Sequence, residues 1–410
     1  MQLYIDPGTG SMLFTILIGI IGAGIYSLRM LLIKLRFRLS GGKAEISEKK
    51  IPFVIFSDDK RYWTVFEPVC AELDRRGKEV VYLTASKDDP ALKNPYPHIH
   101  AEFIGEDNKA FAKLNFLNAE ILLSTTPGLD VYQWKRSKQV TCYVHIPHAA
   151  SDITLYRMFG LDYYDAVLLS GDYQAAQIRS LESQRGLPPK ELVQVGIPYM
   201  DRMRRRLEQA GEAEPHETTV LLAPSWGKGA IFGVYGGRII EELLKTGYHV
   251  IVRPHPQSFK SEAELMESLM AQYPPSDKLE WNRDSDNFEV LRRSDILISD
   301  FSGVIFDFSL VNNKPVLYTN PKFDLSPYDA WWLQDPLWTM SALPRLGKEL
   351  TEDSLGQLKA MIDACLTEPG YAEGRREVKE ETWNFPGEGA ANVADYLIRK
   401  YAELTGKEEV

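Results

Sequence analysis

Cysteine is scarce in this chain of 410 residues, and positive charge is in deficit. The three cysteines, Cys70, Cys142 and Cys365, are scattered without a C-x-x-C pair. That spacing offers no zinc ligand set, no redox dithiol and no disulfide framework, so cytosolic chemistry with three buried thiols is expected. Lys and Arg number 47 against 57 Asp and Glu, a formal net charge of −10. A field of that sign repels polyanions, which excludes nucleic acid as a general partner and requires any phosphate to be held by local groups. The chain has no G-x-x-x-x-G-K-[ST], hence no P-loop, and neither repeats nor low-complexity tracts. With 44% hydrophobic residues it is long enough for two ordinary domains, each with its own core.

Charge is absent altogether from residues 7–28. As a helix these positions span about 33 Å, enough to cross the hydrocarbon layer of a bilayer. Only Asp6 precedes the stretch, whereas Arg29, Lys34, Arg36, Arg38 and Lys43 follow it, the wrong order for a cleaved signal peptide. The positive-inside bias then makes this a single-pass protein of the cell membrane, with its N-terminus outside and the remaining chain cytoplasmic. The cations also suit anionic headgroups. Gly19 and Ala23 have the small-xxx-small spacing of packed membrane helices, a pattern too common to assign a dimer.

Beyond a polar linker at 43–50, short apolar runs alternate with amphipathic stretches. Strands are expected at 51–56, 80–84, 120–124, 140–145, 166–170 and 192–196, with helices at 62–76, 108–118 and 173–185. A second series has strands at 220–223, 249–253, 295–299 and 315–318, and helices at 236–246, 261–272 and 304–310. Strands buried on both faces by intervening helices imply parallel sheets. The organisation expected is an anchor and basic linker over 1–50, a Rossmann-like domain over 51–196, a second over 197–388, and a C-terminal helix and tail over 389–410.

Ligands of open α/β sheets bind beyond the carboxyl ends of the strands, and four such ends carry polar residues. The first is Tyr143-Val-His-Ile-Pro-His148-Ala-Ala-Ser151. His145 falls inside the strand and reads as a core histidine, whereas His148 lies just past it beside two small alanines and suits a general base. The second, Leu222-Ala-Pro-Ser-Trp-Gly-Lys-Gly229, is a Gly-rich loop in which Ser225 and Lys228 can meet an anion, a flexible loop being the alternative for Lys228. The third is Val250-Ile-Val-Arg-Pro-His-Pro256, where two prolines hold His255 beside the planar fork of Arg253. Capping of a sheet edge is the alternative for that arginine. The fourth is Asp295-Ile-Leu-Ile-Ser-Asp-Phe-Ser-Gly-Val-Ile-Phe-Asp307, a strand ending in S-D-x-S-G and passing into a helix, where free N–H groups at Ser302 and Gly303 favour phosphate. Asp300 and Ser302 there can equally serve as helix caps. Asp284-Ser-Asp286 has the D-x-D spacing of metal-dependent transferases, but no strand precedes it, and it reads as a solvated pair rather than a metal site.

A strand-borne histidine before small residues, then A-P-S-W-G, R-P-H-P, S-D-F-S-G and K-P-V-L-Y, resembles in that order the CDP-glycerol glycerophosphotransferases of teichoic acid and related polymer synthesis. The likeness runs over residues 140–328. It implies a GT-B fold, with two Rossmann-like domains and the nucleotide held by the second. It also implies transfer of glycerol phosphate from CDP-glycerol or a related CDP-polyol to an acceptor hydroxyl, lipid-linked or polymeric, at the cytoplasmic membrane face, with no metal or cofactor. Many family members have W-H-G at the first motif where this chain has Pro147-His148-Ala149. On the resemblance His148 is the base and His255 its catalytic companion, with Ser225, Lys228, Arg253, Ser299, Asp300, Ser302 and Gly303 on the donor. A UDP-sugar transferase or UDP-N-acetylglucosamine 2-epimerase shares the S-D-x-S-G pattern and is the enzymatic alternative. A membrane-tethered nucleotide-binding protein without turnover is the non-enzymatic one.

Overall fold

A computed structural model describes residues 50–407, apart from 212, 285 and 321–323. The uncharged stretch 7–28 and its basic flank lie outside the described residues, among which no helix is long and apolar enough to cross a membrane.

From Ile51 onward the chain builds two sheets in which every pairing between strands is parallel. The first comprises β1 (Ile51–Ser57), β2 (Val80–Thr84), β3 (Ile99–Phe103), β4 (Ala119–Ser124), β5 (Val140–His145), β6 (Ala166–Leu169) and β7 (Glu191–Gln194), in the order β3-β2-β1-β4-β5-β6-β7. The second comprises β8 (Thr219–Leu222), β9 (His249–Val252), β10 (Leu279–Trp281), β11 (Ile296–Ser299), β12 (Val316–Tyr318) and β13 (Gly347–Glu349), in the order β10-β9-β8-β11-β12-β13. Strand order reverses between β1 and β4 and again between β8 and β11. Each reversal opens a crevice at the carboxyl ends, where such sheets take their ligands.

Interior strands such as Ile-Leu-Ile-Ser of β11 are apolar because helices cover both faces. Three strands depart from the sequence expectation by being present at all: β3, β10 and β13, each an edge of its sheet. An edge strand has one neighbour and open flanks, so it tolerates polar residues, and Gly-Lys-Glu of β13 has no apolar pattern to find.

Helix α1 (Trp63–Arg75) packs Phe66, Val69 and Leu73 against the first sheet, and α2 (Asp172–Arg185) lies between β6 and β7. Where the sequence suggested only a joint near 196–201, a 13-residue helix follows, α3 (Pro198–Ala210), started by proline at its first position. In the second half, α4 (Val304–Phe306) runs into a π-helical turn over Asp307–Val311, and α5 (Trp338–Leu346) lies in the last crossover, between β12 and β13. The C-terminal helix α6 (Gly389–Thr405) returns to the first sheet, where Val393, Ala394, Tyr396 and Leu397 join Phe53, Ile55 and Leu73 in one core. Another core cluster joins both halves, Val65, Ala150, Tyr199 and Met200 packing with Leu221, Leu297, Phe306 and Trp338.

The chain therefore crosses between halves twice, and the crossings touch. Gly196 sits at φ +90°, and a Cβ there would fall 2.3 Å from the Asn384 carbonyl oxygen. Five residues later, the buried carboxylate of Asp201 accepts from the Trp383 indole N–H at 2.9 Å, the Gly387 N–H at 2.6 Å and the Gly389 N–H at 2.9 Å. Removing one acceptor so that buried donors go unpaired costs about 1–3 kcal/mol per group. Asp201→Ala is accordingly expected to lower unfolding stability by roughly 2–5 kcal/mol, read from denaturant unfolding, and Asp201→Asn by less because one acceptor oxygen survives. A change within experimental error for Asp201→Ala would show that the crossing is held by packing alone.

Candidate active site

β5 delivers the first two imidazoles. His145, its last residue, has no exposed surface; its Nε2 lies 3.2 Å from the Tyr156 hydroxyl, and its ring meets Tyr156 and Tyr164 edge-on. Burial, then the neighbouring His148, pushes its pKa down to about 3. It does not reach the cavity described next.

His148 does. A cleft of about 380 Å³ opens where the carboxyl ends of the two sheets meet, and its wall includes His148 and Ala149 after β5, His255 after β9 and Gly303 before α4. The halves close tightly there: a Cβ on Gly303 would sit 3.5 Å from that of Ala149. The His148 ring lies 5.0 Å from Tyr62 and stacks at 6.3 Å on Tyr156. Its Nδ1 is buried without a partner, which leaves Nε2 as the nitrogen open to the cleft. Loss of solvent, and secondarily the positive charge of Arg61, pushes its pKa down to about 4, so the imidazole is neutral at physiological pH. His255 is fixed differently. Its Nδ1 accepts the Gln257 N–H at 3.1 Å, which assigns the ring proton of the neutral form to Nε2 as a donor. Its pKa is also lowered, by burial first and Arg61 second.

The remaining motif residues support the cleft from behind. Asp300, fully buried, accepts the Ser225 N–H with both oxygens at 3.0 Å and the Ile231 N–H at 3.2 Å, which sets the Gly-rich loop. The Ser299 hydroxyl donates to the Ala223 carbonyl at 2.6 Å. Both side chains are spent on backbone rather than turned to the cleft, although the sequence reading set them on the donor. The Arg253 guanidinium likewise bonds Asn282 and, at 2.8 Å, the Asp284 carbonyl, tying the loop after β10 to the turn that carries His255. Ser225 is buried through its Asp300 contacts, Lys228 is exposed, and Ser302 is half-buried beside Gly303. None of these three lines the cleft.

Several cleft residues escaped the sequence reading. Arg61 and Tyr62 follow β1, a strand end whose Asp-Asp-Lys-Arg-Tyr run was a signal of the same kind as the four that were read. Arg202 and Arg206 project from α3 one turn apart; Arg202 pairs with Glu67 at 3.1 Å and Arg206 with Asp286 at 2.7 Å. Asp286, expected in open solvent, is thus part of the wall, and it also accepts the Phe288 N–H at 3.0 Å. Asp307 begins the π-helical turn, accepts the Tyr199 hydroxyl at 2.6 Å, and is pushed up to about 6 by burial. No cluster of three or more His, Cys, Asp or Glu with metal-site geometry occurs among the described residues.

Solved structures similar to this one include a teichoic acid polymerase and UDP-N-acetylglucosamine 2-epimerases. Among solved structures, the wall teichoic acid polymerase TagF, soaked with CDPG, superposes with a TM-score of 0.57 over 92% of this chain and 98% of that one, at 15% identity. A putative UDP-N-acetylglucosamine 2-epimerase from Listeria monocytogenes gives 0.57 over 88% and 98%, at 13% identity, and the S. aureus MnaA–UDP structure 0.58 over 88% and 98%, at 12%. At such identities the likeness is one of fold, a GT-B-like pair of parallel sheets, and it does not separate the two chemistries. Sequence does. The teichoic acid glycerol-phosphate primase of Bacillus subtilis strain 168 is 22% identical over 265 residues, 58% of this chain and 65% of the primase, so the chain spans just under two thirds of that relative's length. Residues 162–331, from just before β6 to the tryptophan pair beyond β12, match the family described as CDP-Glycerol:Poly(glycerophosphate) glycerophosphotransferase.

Proposed function

We propose that this protein transfers glycerol phosphate, or a related polyol phosphate, from CDP-glycerol to a hydroxyl of a membrane-associated acceptor in teichoic-acid-type polymer synthesis. The observation that carries this reading is that His148 from the first sheet shares one cleft with His255 and Gly303 from the second. A base and a phosphate cradle on opposite walls are what phosphoryl transfer between two bound substrates requires.

In the reaction, neutral His148 takes the acceptor hydroxyl proton at Nε2 as that oxygen bonds to the glycerol-bearing phosphorus. The bond from that phosphorus to the bridging oxygen breaks, and CMP departs with the electron pair. His255 donates from Nε2 to a phosphoryl oxygen, and Gly303, on the same wall of the cleft, lets the phosphate approach the backbone. Arg61 acts on both histidines. Burial first and its positive field second keep them neutral in the empty cleft, and the negative diphosphate offsets that field, so His148 becomes a stronger base once the donor is bound. Arg253 serves as a positioning residue for the His255 turn.

Residues 7–28 act as the anchor in this reading, with the cleft on the cytoplasmic side. External protease applied to right-side-out vesicles should leave a C-terminal epitope intact, and its digestion would reverse the topology.

Incubation of the full chain with CDP-glycerol and with UDP-N-acetylglucosamine, followed by nucleotide analysis, separates the two chemistries of the fold. CMP release from CDP-glycerol is expected; UDP release from the sugar nucleotide instead would favour the epimerase-like alternative. His148→Ala should lower turnover by roughly 10²–10⁴-fold with donor affinity nearly intact, the range for a lost general base. His255→Ala should weaken CDP-glycerol binding as well.

The pH dependence is set by the same burial. The acid limb of kcat/KM, which reports the free enzyme, should lie near pH 4 rather than 6.5, and that of kcat should lie higher because bound diphosphate raises the base. Stability follows in the same direction. The unfolded chain protonates both histidines near 6.5, while the folded chain does so only at about 4 and about 3, so unfolding free energy should fall as pH drops from about 6.5 toward 3. Coincident limbs at 6.5 would mean that the imidazoles are solvated.

A further inference from the structure

Eleven large hydrophobic side chains are exposed among the described residues, and six of them, Phe116, Tyr132, Phe159, Tyr163, Trp331 and Trp332, sit on four loops bonded to one another. All six are aromatic. The Lys135 N–H donates to the Asn115 side chain at 2.8 Å, and the Asn115 amide to the Gln133 carbonyl at 3.4 Å, joining the loop of Phe116 to that of Tyr132. Arg136 reaches the Tyr163 carbonyl, and the Gly128 N–H donates to the Gly160 carbonyl at 2.7 Å. Asp329 accepts the Phe159 N–H at 2.7 Å and the Gly160 N–H at 3.1 Å, which joins the tryptophan loop to the rest. Between the rings of Phe159 and Trp332, at 4.9 and 5.1 Å, lies Arg185. Phe159 is held at φ +67°, a backbone conformation unfavourable for a bulky residue, with its ring still partly in solvent.

Most charges on this face are paired with one another, and exposed Asp335, beside the tryptophans, has no cation partner among the described residues. Asp162 and Asp329 are both paired with Arg185, at 2.7 and 2.5 Å, Asp165 with Arg136 at 2.9 Å, and Asp130 lies 4.0 Å from Lys135. Arg157 and Lys138 are exposed and have no carboxylate partner among the described residues. Aromatic rings interleaved with unpaired cations suit the headgroup layer of an anionic membrane, where Tyr and Trp keep an apolar ring and a polar atom each satisfied. The chain itself leads there. The Ile51 N–H donates to the Asn118 carbonyl at 3.1 Å, two residues from Phe116, and the 50 preceding residues include the uncharged stretch and its five cations.

We propose that this aromatic face lies in the headgroup layer of an anionic bilayer, as a membrane contact separate from the N-terminal stretch. Tyr156, stacked on His148, begins the loop that carries Phe159. A membrane contact at that loop would bring the base within a few residues of the surface where a lipid-borne acceptor resides. The surface assignment stands or falls independently of the transferase reading.

None of the eight tryptophans lies in residues 1–50, so tryptophan emission reports on the rest of the chain alone. The full chain should be reconstituted in phosphatidylcholine–phosphatidylglycerol vesicles, roughly 7:3, with part of the lipid brominated just below the headgroup. Emission should be quenched, Trp331→Phe/Trp332→Phe should lose the quenchable component, and Phe116→Trp should gain one. Unquenched emission from protein that floats with the vesicles would overturn the proposal. So would quenching that both variants leave unchanged, or cross-linking of a Tyr132→Cys variant between two copies without quenching, which would give this face to a second chain.

Discussion

Three backbone and indole donors converge on the carboxylate of Asp201, and the relation between the two sheets depends on that convergence. The outgoing strand-to-helix turn at Gly196 and the returning segment before α6 touch at a place where only a residue without a side chain fits. An acid buried there is costly unless every lone pair is used, which is why its three partners come from the segment that must be held. Because the two crossings are locked together, the carboxyl ends of both sheets face one cleft, and residues more than a hundred positions apart in sequence become neighbours.

The cleft itself works by controlled desolvation. His145 and His148 leave β5 together, yet one is sealed between two tyrosines and the other keeps one nitrogen open. Arg61, Arg202 and Arg206 put three guanidinium groups on the cleft wall of a protein with a net charge of −10, where the proposed reaction would hold a diphosphate. Each arginine also has a carboxylate nearby, so the charge is held in position in the absence of a ligand. The S-D-F-S-G motif contributes in two ways. Gly303 faces the cleft, while Asp300 and Ser299 spend their side chains on the loop behind it.

How much of this was legible depended on burial. Interior strands such as β4 and β11 announce themselves because both faces are covered and the residues are apolar throughout. β3, β10 and β13 are edges, free to carry Glu, Lys and His, and leave no pattern. Helix α3 was hidden for another reason: Asp-Arg-Met-Arg-Arg-Arg reads as solvated charge until the second sheet is folded against it. Of the site, His148, His255 and Gly303 could be found because polar residues at strand ends need explaining. Arg61 stood in the same kind of place and was missed, and Asp307, at the end of the fourth motif, was given no role, since a buried carboxylate along a helix is indistinguishable by sequence from an exposed one.

The most direct test of the central claim is a crystal structure of the full chain with CDP-glycerol bound. The diphosphate should lie between His255 Nε2 and the Gly303 amide, with the glycerol-bearing phosphorus turned toward His148 across the cleft. A nucleotide seated instead in the crevice between β1 and β4, with His148 remote from both phosphorus atoms, would contradict it.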